Sequence, residues 1–171
     1  GGDPPMRLVN RWFTRYLYGV ENDVEQAPKS WIVREGDKRT NPTPYADYPH
    51  PDAKPVTLHP RKGGRECGPL SLDAGQRDGK EGLVDDVSHS GAALATAAAS
   101  PHRLIYATRE LTRPLHLSGT ARIQIRLACN APATNLSVWL VSLPWNADRR
   151  APITDNVITR GWADPQNHES L

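Results

Sequence analysis

Leu136-Ser137-Val138-Trp139-Leu140-Val141-Ser142-Leu143-Pro144-Trp145 is the stretch on which the fold class turns. Leu136 to Leu143 is apolar on both faces, the pattern of a central β-strand between two layers. Pro144 ends it, because proline has no N–H to give a ladder. Working upstream, Ala121, Ile123, Ile125 and Leu127 alternate with Arg122, Gln124 and Arg126, a period of two with one wet face. Leu104 to Thr108 and Leu115-His116-Leu117 are further strand candidates, the second closed by Ser118-Gly119. Short strands punctuated by Pro- and Gly-bearing loops predict a mainly β chain, a sandwich or jelly roll. Downstream, Ile158 to His168 is a polar, Trp-bearing segment with more character than an ordinary loop requires.

Towards the N-terminus the pattern changes. Leu8, Val9, Trp12, Phe13, Tyr16 and Leu17 make one apolar face of a helix over about 6–18, and Gly19 stands where a C-cap glycine belongs. A three-turn helix whose face carries Trp12 and Phe13 is marginal alone and must dock on something. Trp31-Ile32-Val33, Val56 to His59 and Leu70-Ser71-Leu72 read as short strands, with a turn at Arg61 to Gly64. Asn41 to Pro55 carries five prolines and reads as an extended loop, and Gly75 to Ser88 as a charged one. Gly91 to Ser100 is Ala-rich without a polar face, so a short helix and an irregular segment both fit. Trp12 and Trp139 lie in strongly patterned apolar segments and are expected in the core.

Composition narrows the function classes. The chain has 171 residues, 37% of them hydrophobic, with 16 Pro and 13 Gly. That is one ordinary domain, or a small domain with an appendage, rich in loops and unlike a helical bundle. The net charge of +2 comes from mixed signs with no basic stripe, so no nucleic-acid partner is implied. No apolar run approaches the roughly 20 residues that span a bilayer, so no membrane partner is implied either. Cys67 and Cys129 form no CxxC pair; a disulfide in an exporting compartment and two separate thiols both fit. The start, Gly1-Gly2-Asp3-Pro4-Pro5, reads as a cut point or linker.

Residues able to carry chemistry are few. No Gly-x-Ser-x-Gly elbow exists. Asp85 to Gly91 puts Ser88, His89, Ser90 and two aspartates within seven residues, but triad partners converge from separate elements, so the default is a solvated loop. The six histidines (His50, His59, His89, His102, His116 and His168) show no ligand spacing such as HExxH, and neither cysteine has a second ligand near it. No catalytic, cofactor-binding or metal residue is therefore assigned, and no cofactor is expected. Five tryptophans against one phenylalanine is an unusual ratio, and Trp145 and Trp162 could stack on sugar rings if exposed.

Arg11-Trp12-Phe13-Thr14-Arg15-Tyr16-Leu17-Tyr18-Gly19-Val20-Glu21-Asn22 resembles the helix and turn late in the α/β-hydrolase domain of the Xaa-Pro dipeptidyl-peptidase family, which includes cocaine-esterase-like acyl hydrolases. Leu104 to Thr120, the 123–127 alternation and the strand to Trp145 are similar to the start of that family's C-terminal jelly roll. Ile158 to His168 looks most like its dipeptidyl-peptidase branch, especially secreted bacterial members. The likeness is good at both ends and weak over 40–99. It implies a galactose-binding-like jelly roll, incomplete at its C-terminus and preceded by one amphipathic helix. It divides the chain into 1–35, the tail of the α/β-hydrolase domain; 36–102, a Pro/Gly-rich connection with the first jelly-roll strands; and 103–171, a truncated sandwich. The implied parent is a serine exopeptidase releasing X-Pro dipeptides, and its triad lies before the Trp12 helix, so none of its catalytic roles falls on this chain. The implied partners are the parent's hydrolase domain and, through it, a proline-containing peptide; a homo-oligomer is left open. A free-standing carbohydrate-binding sandwich and a small hydrolase using Ser88, Ser90 and His89 are the competing readings.

Overall fold

A computed structural model describes residues 5–34, 37–38, 40–75, 79–146 and 156–167. The chain is mainly β: seven short strands accompany two α-helices and two 3-10 turns among these residues. It divides into two compact units, Gly1–Pro55 with His116–Thr120, and Val56–Leu115 with Ala121–Leu171.

In the first unit, helix α1 spans Pro5–Tyr18. It ends at Gly19, whose φ of 67° is left-handed backbone that costs glycine nothing. The Gly19 N–H reaches Arg15 O (3.0 Å) and the Val20 N–H reaches Thr14 O (3.3 Å), satisfying two carbonyls that the helix leaves open. A 3-10 turn, Val24–Gln26, folds back on α1. Asn22 Nδ2 donates to Arg11 O (2.7 Å), the Arg11 guanidinium returns a bond to Asn22 O (2.9 Å), and Arg15 pairs with Glu21 (2.8 Å) and with Glu25. Strands β1 (Ser30–Ile32) and β2 (Thr43–Tyr45) pair antiparallel, Ser30 facing Tyr45. Tyr45 is buried, its hydroxyl 3.0 Å from His116 Nε2 and its ring edge-on to His50. The His50 N–H is received by Ser118 Oγ at 2.8 Å. Leu115-His116-Leu117 is a loop, not the expected strand: the His116 ring reaches Tyr45, but its backbone joins no ladder among the described residues.

The second unit contains two sheets. In one, β3 (His59–Pro60) pairs antiparallel with β4 (Gly68–Ser71), which pairs parallel with β5 (Tyr106–Ala107). Gly68 sits where only glycine fits, since a Cβ there would lie 2.5 Å from Arg61 O and 2.8 Å from the Tyr106 ring. In the other, β6 (Leu136–Val141) pairs antiparallel with β7 (Val157–Ala163) from Leu136 opposite Ala163 to Val141 opposite Val157, with a register shift after Leu140. The Ala-rich segment resolves as helix α2, Gly91–Thr96, with Ser90 Oγ accepting the Ala93 N–H at its start (3.2 Å).

Four further expectations are corrected. Strand β6 ends at Val141 and none of its residues is buried; it pairs with β7 alone among the described residues, so it is not a central strand between two layers. The segment after it, expected to be a polar marker, supplies its partner strand. The 121–127 alternation joins no ladder, and Ile123 (59% exposed), Ile125 and Leu127 face solvent, because a period of two makes a strand only where a neighbour accepts its hydrogen bonds. Trp12 is 51% exposed and Trp139 only half-buried, so neither is core. The α1 face has little apolar surface of its own unit to cover it.

Candidate functional site

Ser88, His89 and Ser90 come together in a turn, but not as a nucleophile and base. Ser90 Oγ is committed to the start of α2 and the Ser88 N–H to Asp86 Oδ1 (2.9 Å). No serine hydroxyl bonds a histidine ring among the described residues, so the arrangement lacks the pairing that activates a serine. The structure brings His89 to two other groups instead. Its Nε2 lies 3.7 Å from Asp86 Oδ2, and its ring centroid lies 4.7 Å from that of His102, tilted by 34°. One donor atom from each of Asp86, His89 and His102 falls within 4.8 Å of the others.

The backbone explains how residues so far apart meet. The Val84 N–H donates to Pro101 O (2.9 Å) and Val84 O receives His102 Nδ1 (2.9 Å), which ties the 84–89 loop to the 100–102 turn. That turn is anchored by buried Ser100, whose N–H reaches Arg65 O (2.8 Å) and whose Oγ accepts the His102 N–H (3.1 Å). The Ser88 hydroxyl, then the Ser88 N–H, holds the Asp86 carboxyl below its ordinary range. His102 was not legible as a member of this group, because it stands too far along the chain from His89 for any ligand-spacing motif.

Beside this group lies a polar framework that sequence reasoning also missed. The Arg103 guanidinium donates to five carbonyl oxygens: Gly64, Arg65 and Glu66 in one turn, and Leu94 and Ala97 at the end of α2. A cation on the last carbonyls of a helix also complements its dipole. The Tyr106 ring covers Gly64 and Gly68, and its hydroxyl donates to Glu81 Oε2 (2.8 Å). Glu81 Oε1 accepts the N–H groups of Gly63 (2.9 Å) and Gly64 (3.0 Å). Burial, followed by the bond and charge of Glu81, raises the Tyr106 pKa, so the phenol stays a donor. Burial also pushes Glu81 up, but the bonds from Gly63, Tyr106 and Gly64, with the charge of Lys62, outweigh it and leave the carboxyl below its ordinary 4.5.

The tryptophans considered for sugar stacking differ. Trp162 is 69% exposed on β7, with the Arg160 guanidinium 5.1 Å from its ring centroid. Trp145 is half-buried after the cis Leu143-Pro144 bond, in a turn held by buried Asn156. Asn156 Nδ2 donates to Ser142 O (2.7 Å) and Pro144 O (3.1 Å), and its Oδ1 accepts the Asn146 N–H (3.1 Å). His168 lies outside the described residues. Cys67 and Cys129 are both exposed free thiols. No helix among the described residues is long and apolar enough to cross a membrane.

Comparison with known proteins decides the lineage. The X-Pro dipeptidyl-peptidase C-terminal non-catalytic domain matches residues 22–171. The chain belongs to that family. A Rhodopirellula baltica protein named as an Xaa-Pro dipeptidyl-peptidase is 57% identical over 171 residues, covering 100% of this chain and 27% of that protein. A similarly named Bacillus anthracis protein is 29% identical over 173 residues, covering 96% of this chain and 26% of its own length. One from Streptomyces avermitilis is 25% identical over 200 residues, covering 95% and 29%. The chain therefore spans between a quarter and a third of the length of these curated relatives. No solved structure matches it. The resemblance read from the sequence is the family found, whose matched domain is the non-catalytic C-terminal one.

Proposed function

We propose that this chain is the non-catalytic C-terminal module of a serine exopeptidase that releases X-Pro dipeptides, and that it packs on the parent's α/β-hydrolase domain and helps wall its active site. The observation that carries this reading is α1. The family match begins at residue 22, after the helix has ended, while the 57% identical relative aligns through the helix as well. A helix outside the module that shows Trp12, Phe13 and Tyr16 half-exposed and Leu17 more so has an apolar face suited to burial on another domain. On this reading the helix is the tail of the hydrolase domain and the rest is a galactose-binding-like jelly roll, where the exposed face of Ile123, Ile125 and Leu127 finds its neighbours.

The test is hydrolysis of Ala-Pro-p-nitroanilide by the longer protein that carries this module and by the 171-residue chain alone. Turnover is expected from the first and none from the second. Turnover by the chain alone would overturn the assignment of a non-catalytic role. Glycan binding by the chain that disappears in Trp162→Ala would favour the carbohydrate-binding reading instead.

A further inference from the structure

We propose that Asp86, His89 and His102 form a divalent-metal site that takes zinc or a first-row ion of similar preference. Two imidazoles and one carboxylate are a donor set suited to such ions, with water completing the shell. The surroundings orient the donors. Val84 O can only accept a hydrogen bond, so the proton of His102 sits on Nδ1 and the Nε2 lone pair is left to bind. A backbone carbonyl on the far nitrogen of a ligating histidine is a common way of fixing its tautomer. Asp86 is held likewise: its carboxyl takes the Ser88 hydroxyl and, at Oδ1, the Ser88 N–H, with Oδ2 on the side of His89.

At 3.7 Å the Asp86–His89 approach is too long for a hydrogen bond, and the His89 ring makes no other. The present spread of 4.8 Å must close to about 3.3 Å for a tetrahedral ion with bonds near 2.0–2.1 Å. His89, on an exposed turn, can supply that movement without disturbing Ser100 or Val84. The bound ion would clip the 84–89 loop to the 100–102 turn, a structural role independent of the peptidase reading.

Zinc chloride titrated into the full chain against a chromophoric chelator tests this. One zinc per chain is expected, with affinity falling at least about tenfold in His89→Ala and in Asp86→Asn. It should be retained when Cys67 and Cys129 are both changed to serine. The ring resonances of His89 and His102 should move with zinc while those of His59 and His116 stay; this readout decides the matter if Asp86→Asn does not fold. No zinc bound at micromolar concentration, unchanged affinity in His89→Ala, or binding that vanishes with the thiols would each overturn the proposal.

Discussion

Helix α1 and the turn gripped by Arg103 are finished in opposite ways. The helix has a complete polar architecture, with a left-handed cap, reciprocal Arg11–Asn22 bonds and an arginine between two glutamates, yet it leaves its aromatic face in solvent. The Arg103 turn contains hardly any apolar side chain, but five carbonyls converge on one guanidinium and Tyr106 closes over two glycines. Polar bonds thus fix local shape in both. They leave one region complete and the other in need of a surface, so satisfied hydrogen bonds and a covered apolar face are separate requirements of a stable domain.

The largest expected effect comes from breaking the self-sufficient side. Arg103→Met should cost about 3 kcal/mol in urea unfolding, since the carbonyls of two segments lose a charged donor together. A change within about 0.5 kcal/mol would show that water replaces the guanidinium and that the network is not what holds the turn.

A smaller loss, about 1 kcal/mol near neutral pH, is expected for Glu81→Gln, which weakens the grip on Gly63, Gly64 and Tyr106. The pH dependence has a definite sign. The folded carboxyl has a pKa below its ordinary 4.5, so its contribution is present above that value and disappears as the pH falls through the lowered one. Acid unfolding should therefore be steeper in the wild type than in Glu81→Gln over that window; parallel curves would remove Glu81 from the account.

The smallest effect is predicted for the other side of the comparison. Trp12→Ala should change the stability of the chain alone by no more than about 0.5 kcal/mol, because the ring is already half in water. A loss of 2 kcal/mol or more would mean that the chain covers this face itself, and the contrast between the two regions would fail.

The sequence was readable where information is local. The helix over 6–18, its Gly19 stop and the strand beginning at Leu136 follow from periodicity and from residues with restricted or permissive backbones. What was misread depended on partners. Strand β7 looked like a polar segment because its side chains are nearly all exposed, and its identity comes from backbone bonds to β6. The 121–127 alternation looked like a strand because side-chain pattern says nothing about who pairs. The Asp86–His89–His102 group was half legible: the first two share a heptapeptide that drew attention, whereas His102 arrives through a backbone tie to Val84 that leaves no residue signature. Arg103 was hidden for a related reason, since carbonyl acceptors are present at every position.

The parallel pairing of Gly68-Pro69 with Tyr106-Ala107 has a consequence in time. Strands side by side in the same direction cannot meet through a tight turn, so all of the chain between them must be gathered first. Closing a loop of that length costs about 3 kcal/mol of chain entropy before any contact rewards it. Arg103 sits just before the returning strand and grips the turn just ahead of the departing one. Its three bonds to Gly64, Arg65 and Glu66 therefore require the loop to be shut, whereas those to Leu94 and Ala97 lie within the loop itself. Helix α1 needs no such rendezvous and can form while the rest of the chain is still searching.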